Sequence, residues 1–206
     1  MSEQVVELTT EEGQTQFFLR AYSWRWWARS AYILRLSAQA LWKIYDSEMR
    51  RAELMGDEAI GHSFEIEHEA PAMMLMGMAL EALLKGCLVA KNPSLVKSCE
   101  IDNKLKTHDL VRLFQDAGIT LNQQERNFCT TLTDYVVWLG RYPIPVESSK
   151  VPSTLSGVSN RWQMFDNLFA RVYTSVSDQE QDQAERLYRS KEDEFYASVN
   201  KSHGII

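Results

Sequence analysis

Apolar residues recur along this chain at intervals of three and four positions, and stretches of alternating apolar and polar residues are nearly absent. That spacing is typical of α-helices that turn one face toward a protein core, whereas strands alternate at every second residue. The pattern therefore predicts an all-α bundle of about six helices. They are expected over residues 12–55, 71–90, 108–117, 123–139, 158–176 and 178–200.

Local signals indicate where several of these helices begin. Thr107 is a candidate N-cap for the short third helix, because its hydroxyl can accept a hydrogen bond from an unpaired backbone N–H. Asn122 and Glu125 have the spacing of a capping box, in which each side chain bonds the backbone N–H of the other residue. Ser177 and Glu180 have the same spacing, so a helix start is predicted at both places.

The first helix is long, and it is expected to run from a cap at residues 9–12 to about Met55. Its apolar residues occupy more than one face. One face carries Phe17, Ala21, Trp24, Ala28 and Tyr32, and another carries Trp26, Ile33, Leu41 and Ile44. A helix that is apolar nearly all round is either central to a bundle or shared with a second subunit, so the pattern is a first indication of a homodimer.

Length and composition favour one globular domain over residues 1–206. Hydrophobic residues make up 45% of the chain and charged residues 24%, which is ordinary for a folded protein and unlike a disordered one. At about 150 residues per domain, the chain is long enough for one well-buried core. Its formal net charge of -6 gives no general attraction to phosphate, so contact with nucleic acid requires a local basic patch.

Targeting and redox features predict a soluble, cytoplasmic protein that is not attached to a membrane. Residues 1–20 include acids and lack the basic and apolar regions of a signal peptide. No apolar run is expected to reach the roughly 18 residues needed to cross a bilayer. The cysteines Cys87, Cys99 and Cys129 do not have zinc-ligand spacing, so we expect reduced thiols, no metal and no cofactor.

Three short segments follow one another in the middle third of the chain. Glu81 to Lys85 is Glu-x-x-Leu-Lys, Thr107–Leu110 contains His-Asp-Leu, and Gly140–Pro143 contains Arg-Tyr-Pro. These are similar to segments of the HEPN family, where they lie on the second helix, open a short helix and end the fourth helix of one large branch. In their order, spacing and helical placement the chain resembles this family.

The resemblance implies a small up-and-down helical bundle that is commonly dimeric and linked to RNA or nucleotides. Its core motifs fall within residues 71–145, and residues 158–202 are expected to add two C-terminal helices. Many members act in toxin–antitoxin, abortive-infection or other prokaryotic defence systems. The resemblance therefore implies a homodimer, and a partner protein such as a nucleotidyltransferase.

The chain departs from those members of the family that cleave RNA. They carry Arg, then four to six residues, then His, and two protomers combine these residues at their interface without a metal. After Arg141 the corresponding window holds Val146, Glu147 and Ser148. A positioned acid or base contributes about 10²- to 10⁴-fold to a rate, so the resemblance implies a non-nucleolytic member. His108 is the remaining candidate for the missing catalytic histidine.

The candidate ligand-binding residues come from the three segments: Glu81, Lys85, His108, Asp109, Arg141 and Tyr142. Arg141 has two interpretations of similar weight, a cation stabilised by the dipole at a helix C-terminus or a guanidinium that recognises phosphate. Glu81 and Lys85 are spaced for an ion pair on one helix face, which favours a structural polar network over a ligand site. His108 and Asp109 are also expected to serve the structure.

The segment Trp24–Arg29 is a second candidate surface, because it mixes aromatic and basic residues as platforms for single-stranded RNA do. Together with Arg20 and Arg35 it makes the first helix locally basic. The alternatives are a core helix whose arginines extend to solvent beside buried indole rings, and a subunit interface. The core interpretation is favoured, since large aromatic residues are highly buried on average.

Three functions follow as hypotheses. The leading one is a non-catalytic module that associates with nucleotides or RNA in a prokaryotic defence or toxin–antitoxin system. The second is a metal-independent ribonuclease toxin that uses Arg141 together with His108 or a histidine of a second protomer. The third is a purely structural interaction domain that docks through its first helix.

Overall fold

The computed structural model describes residues 13, 17, 19–55, 68–96, 100–140 and 160–202. Within these ranges the chain is an all-α helical bundle, which confirms the predicted fold class. The only strand-like pairing in them is an isolated bridge between Val96 and Ile101. Six α-helices make up this part: α1 (Trp24–Met55), α2 (Ala70–Lys91), α3 (Leu110–Asp116), α4 (Gln123–Asp134), α5 (Arg161–Thr174) and α6 (Asp178–Ser202).

Helix α2 is the core of the bundle and packs against each of the other five helices. As predicted, Pro71 stands in its first turn and Asn92 ends it. Contrary to the prediction that no apolar run is long enough, α2 could cross a membrane by length and composition alone, since its most apolar stretch has a mean hydropathy of 1.7. However, 72% of that stretch is buried, so the apolar surface of α2 is used inside the bundle.

The first helix is not continuous, contrary to the prediction. It is interrupted at Ser23, and α1 begins at Trp24. The indole Nε1 of Trp27 donates a hydrogen bond of 2.8 Å to the carbonyl oxygen of Ala21. This carbonyl, which lies close to the interruption, therefore has a side-chain donor as its partner. The cap predicted at residues 9–12 lies outside the described residues.

Helix α1 crosses α2 at close range on one face and leaves the opposite face exposed. Ala31 and Ala38 are fully buried, and a Cβ atom on Gly86 of α2 would lie 2.5 Å from the Cβ of Trp27. Small residues on both helices therefore permit the contact. The exposed face carries large apolar side chains, among them Ile33 and Ile44.

Both predicted capping boxes are confirmed. The Asn122 side chain accepts from the Glu125 N–H, and the Glu125 carboxylate accepts from the Asn122 N–H, both at 2.9 Å. The Ser177 N–H donates to Glu180 at 2.7 Å, and the Glu180 N–H donates to the Ser177 hydroxyl at 3.2 Å. The bond from the Ser177 backbone is the main cause of a lowered pKa at Glu180, because it favours the charged carboxylate.

The predicted cap at Thr107 is wrong, since Asp109 is the N-cap of α3. The Asp109 carboxylate accepts from the Arg112 N–H at 3.0 Å, whereas the Thr107 hydroxyl accepts from the Asp109 N–H at 3.1 Å. The Leu110 N–H donates to the hydroxyl of Thr133 on α4 at 3.2 Å. A tertiary contact therefore accompanies the helix start, and no local pattern reveals it.

Helix α4 continues as a π-helix over Tyr135–Leu139, and α2 passes close to its start at Gly77. A Cβ atom on Gly77 would lie 2.5 Å from Cγ2 of Val136 and 3.0 Å from the carbonyl oxygen of Leu132. A side chain can rotate away, but a backbone oxygen moves only with its helix. The contact therefore requires glycine if the two helices are to keep their separation.

Gly77→Ala is accordingly expected to lower the free energy of unfolding by about 1–3 kcal/mol, the usual cost of an overpacked contact. Urea unfolding followed by circular dichroism measures the change. Gly13→Ala is the matched control, because no atom of the described residues lies within 4 Å of its Cβ position. The control should leave stability unchanged or raise it by up to about 1 kcal/mol. Equal effects of the two substitutions would contradict the close approach at Gly77.

Candidate functional site

Two of the three HEPN-like segments meet in a cluster of three side chains. The Lys85 ammonium donates to Oε1 of Glu81 at 2.7 Å, and Nδ1 of His108 lies 2.9 Å from Oε2 of Glu81. Glu81 and Lys85 are nearly buried, whereas the side chain of His108 is 55% exposed. The cluster therefore ties the middle of α2 to the residues that precede α3.

Local structure explains how these side chains come together. Glu81 and Lys85 are one turn apart on α2, in the order that favours an ion pair within a helix. His108 directly precedes the Asp109 cap, so the start of α3 holds it next to α2. Asp109 itself is used in capping, and its carboxylate bonds the Arg112 N–H rather than a member of the cluster.

The hydrogen bonding of Glu81 suits a structural network. Each of its two carboxylate oxygens has a partner, one in Lys85 and the other in His108. A nearly buried ammonium such as that of Lys85 requires a compensating charge, and Glu81 supplies it. The exposed ring of His108 is the part of the cluster that a ligand can reach from solvent.

Arg141 and Tyr142 lie outside the described residues, so their part in the site stays a prediction. The described chain before them ends at Gly140, whose N–H donates to the Tyr135 carbonyl at 3.0 Å. Met74 of α2 packs against Gly140, since a Cβ atom there would lie 2.5 Å from the Met74 Cβ.

Cysteine and metal chemistry find little support in the described part of the chain. No group of three or more His, Cys, Asp or Glu residues is placed to hold a metal ion there. Burial raises the pKa of the Cys129 thiol to about 12, so it stays protonated and is a poor nucleophile. Cys87 is also buried, with its sulfur 3.4 Å from the Ser175 hydroxyl. Cys99 lies outside the described residues.

The tryptophans of the first helix divide between core and surface. Trp24 is buried and Trp27 is partly buried, which confirms the core interpretation for those two. Trp26 is exposed, and its indole ring lies 5.3 Å from the guanidinium carbon of Arg20 and 5.6 Å from that of Arg29. For Trp26 the core interpretation is wrong, because its side chain lies on the side of α1 that faces away from α2.

A groove between α1 and α5 is a surface that periodicity does not reveal. It has a volume of about 710 Å³, and its lining includes Arg25, Arg29, Tyr32, Arg35, Phe169 and Tyr173. The four residues from α1 recur at intervals of three and four, so they share one side of that helix. The sequence therefore indicates the α1 side of the groove. Which residues of α5 line the other side depends on how the two helices are placed, and the sequence does not show that.

Searches of protein-family models, curated proteins and solved structures found no match to this chain. Its function is therefore inferred from its own residues and their contacts. In the described part of the chain these include the Glu81–His108 cluster and the groove between α1 and α5. They lie on different parts of the bundle, because the cluster joins α2 to the start of α3.

Proposed function

We propose that this chain is a non-catalytic, HEPN-like module that associates with RNA or a nucleotide in a cytoplasmic prokaryotic defence or toxin–antitoxin system. The observation that carries the proposal is the contact of 2.9 Å between Glu81 and His108. These residues belong to two of the segments on which the HEPN resemblance rests. Their contact supports treating the segments as one unit rather than as chance matches.

The non-catalytic part of the proposal rests on what acid–base chemistry requires. A general base must be positioned with an acceptor available to take a proton. No histidine stands in the window after Arg141, and Nδ1 of the alternative candidate, His108, already lies 2.9 Å from Oε2 of Glu81. Binding without cleavage is the function that agrees with both observations.

Within this proposal, Arg141 and Tyr142 recognise the ligand, and His108 and Lys85 support the same region. A guanidinium presents several donors in a fixed plane and is suited to a phosphate group. A nucleotidyltransferase-type protein is the partner that the HEPN resemblance suggests. No metal or cofactor enters the proposed binding.

Binding measured with purified protein tests this proposal. Labelled single-stranded RNA and a panel of mononucleotides are titrated with wild-type protein, and at least one is expected to bind at micromolar concentration. Arg141→Ala should weaken that binding about 10- to 150-fold, since a hydrogen bond to a charged group contributes about 1.5–3 kcal/mol. Arg126→Ala, which removes an exposed arginine from α4, serves as the control. Failure of the wild type to bind any of these ligands would contradict the proposal.

The exposed face of α1 favours a second candidate, a protein-interaction domain that forms a homodimer. Ile33, Leu36 and Ile44 are large apolar residues on the side of α1 that faces away from α2, and all are exposed. Apolar rows of this kind mark interfaces between proteins. A complex that survives Arg141→Ala but dissociates with Trp26→Ala would favour this candidate.

A further inference from the structure

We infer that the groove between α1 and α5 is a binding surface for single-stranded RNA. Bases stack on Tyr32 and Tyr173, and the phosphate backbone follows the arginines of α1. The inference rests on the proposed association with RNA, but it uses none of the residues of the HEPN-like segments. Substitutions in the groove therefore test the inference directly.

The size of the groove suits a bound ligand. Its volume of about 710 Å³ falls within the range of about 300–1,000 Å³ that is typical of ligand sites. Ala28 of α1 and Ala170 of α5 both line it. These methyl side chains leave open the space that larger residues at the crossing would fill.

Two tyrosine rings border this space without being buried by the bundle. Tyr32 is 52% exposed and Tyr173 is 48% exposed. Behind them, the Trp24 ring lies 6.0 Å from that of Tyr173 at an interplanar angle of 44°, which restricts the motion of the tyrosine. Every base has a π-face, so exposed and supported aromatic rings bind single strands without requiring a particular sequence.

The charge of the groove is complementary to phosphate. Its lining contains three arginines and one carboxylate, Asp166. Arg35 is held by Asp166, with bonds of 2.9 and 2.5 Å from its Nε and Nη2, and it lies 5.6 Å from the Phe169 ring. Arg25 and Arg29 are exposed, although Arg25 also lies 3.4 Å from Glu185.

The basic character extends along α1 beyond the groove. Over Trp24–Met55 the sequence has six Lys and Arg residues and three Asp and Glu residues, in a chain whose net charge is -6. A row of cations on one helix favours a polyanion over a single phosphate group. The carboxylates of an acidic peptide use only the arginines, whereas a nucleic acid adds base stacking on each exposed ring, so the combination favours nucleic acid.

Fluorescence anisotropy with a labelled single-stranded RNA of mixed sequence tests the inference, and the probe is titrated with the full chain. Tyr32→Ala is expected to weaken binding about tenfold through lost stacking, while Tyr32→Phe should stay close to the wild type. Arg29→Glu should weaken binding to a similar extent. It should also make the dependence on salt shallower, by about 0.7 in the log–log slope for each lost phosphate contact.

Two further variants distinguish binding in the groove from nonspecific attraction to positive charge elsewhere on the protein. Ala170→Trp fills the space without altering charge and is expected to block binding, whereas Arg126→Glu reverses an exposed charge on α4 and should have little effect. Each of these residues is exposed, and circular dichroism confirms that each variant folds. Binding by the wild type that survives Tyr32→Ala, Arg29→Glu and Ala170→Trp would overturn the inference and leave the proposed function intact.

Competition defines the ligand class. Unlabelled RNA should displace the probe, and mononucleotides or polyglutamate at the same phosphate or carboxylate concentration should not. Equal displacement by polyglutamate would show a general anion surface, and equal displacement by a mononucleotide would show a small-molecule site. Either result overturns the assignment to single-stranded RNA. A wild type that binds no RNA would overturn the inference, and one that also binds no mononucleotide would overturn the proposed function as well.

Discussion

Glu69→Ala is expected to lower the free energy of unfolding by about 3–5 kcal/mol, because it breaks a buried ion pair with Arg161 by removing one of the two charges. Glu69 directly precedes α2, and Arg161 is the first residue of α5. Their side chains form an ion pair and are 2% and 13% exposed respectively. The pair therefore joins the starts of two helices that are far apart in the chain.

A double-mutant cycle separates the coupling of this pair from the loss of packing. Glu69→Met and Arg161→Met are each expected to destabilise strongly, because each removes one partner of a buried ion pair. Glu69→Met combined with Arg161→Met should recover most of the loss, since apolar residues of similar volume often replace a buried pair without cost. Urea unfolding provides the free energies for all variants.

The control for this prediction is an exposed ion pair of α1. Arg50 and Asp46 are 2.9 Å apart and both are largely exposed. Asp46→Ala should change stability by less than about 0.5 kcal/mol, because solvent screens such pairs. A loss of less than about 1 kcal/mol for Glu69→Ala would contradict a stabilising ion pair at this buried position.

Glu81→Ala is the second substitution with a large expected effect, a loss of about 3 kcal/mol in the free energy of unfolding. It removes the only carboxylate recorded within ion-pair distance of Lys85 in the described part of the chain, and the contact to His108. Lys85 is nearly buried, so its charge must then be accommodated without a partner. Thermal and urea unfolding measure the loss.

A further comparison shows whether the Glu81 cluster serves structure or binding. In the double variant Glu81→Leu with Lys85→Met both charges disappear, and most of the stability should return. Asp116→Ala on α3 is the matched control, because the Arg112–Asp116 pair is longer, at 3.8 Å, and Arg112 is exposed. If Glu81→Ala alters RNA binding while stability stays within about 0.5 kcal/mol, a structural role for the cluster is contradicted.

Much of the fold follows from interactions between residues close in the chain. Periodicity and Pro71 predict α2 to within about a residue at each end, and the capping boxes at Asn122 and Ser177 are where their spacing indicates. A backbone N–H near a helix start is bonded by water, by a side chain within about three residues or by a distant side chain. Where the partner is local, as in a capping box, the sequence contains the whole signal.

Two errors occur where a side-chain contact that helical periodicity does not register accompanies the outcome, one contact being distant and the other local. Thr107 and Asp109 are both capable caps, and the bond from the Leu110 N–H to Thr133 on α4 accompanies the choice of Asp109. The interruption at Ser23 accompanies a side-chain bond from Trp27 that periodicity does not register.

The candidate site shows the same division. The Glu81–Lys85 pair is predictable because four residues span one helical turn. The sequence permits several partners for Glu81 besides Lys85. His108 is the one that contacts Glu81, because α3 packs against α2 at that point. The arginines of the groove beside Tyr32 can be recognised in the sequence. The shape of the groove cannot, because it depends on the position of α5 relative to α1.

Recovery of RNA after incubation with the protein tests the central claim, RNA association without cleavage, most directly. Labelled total RNA is incubated in EDTA with wild-type protein or Arg141→Ala, and is analysed both on native gels and on denaturing gels. We predict that the wild type shifts the RNA on the native gel and that the same RNA runs at full length after denaturation. Cleavage by the wild type that disappears with Arg141→Ala would contradict the claim and identify a metal-independent ribonuclease.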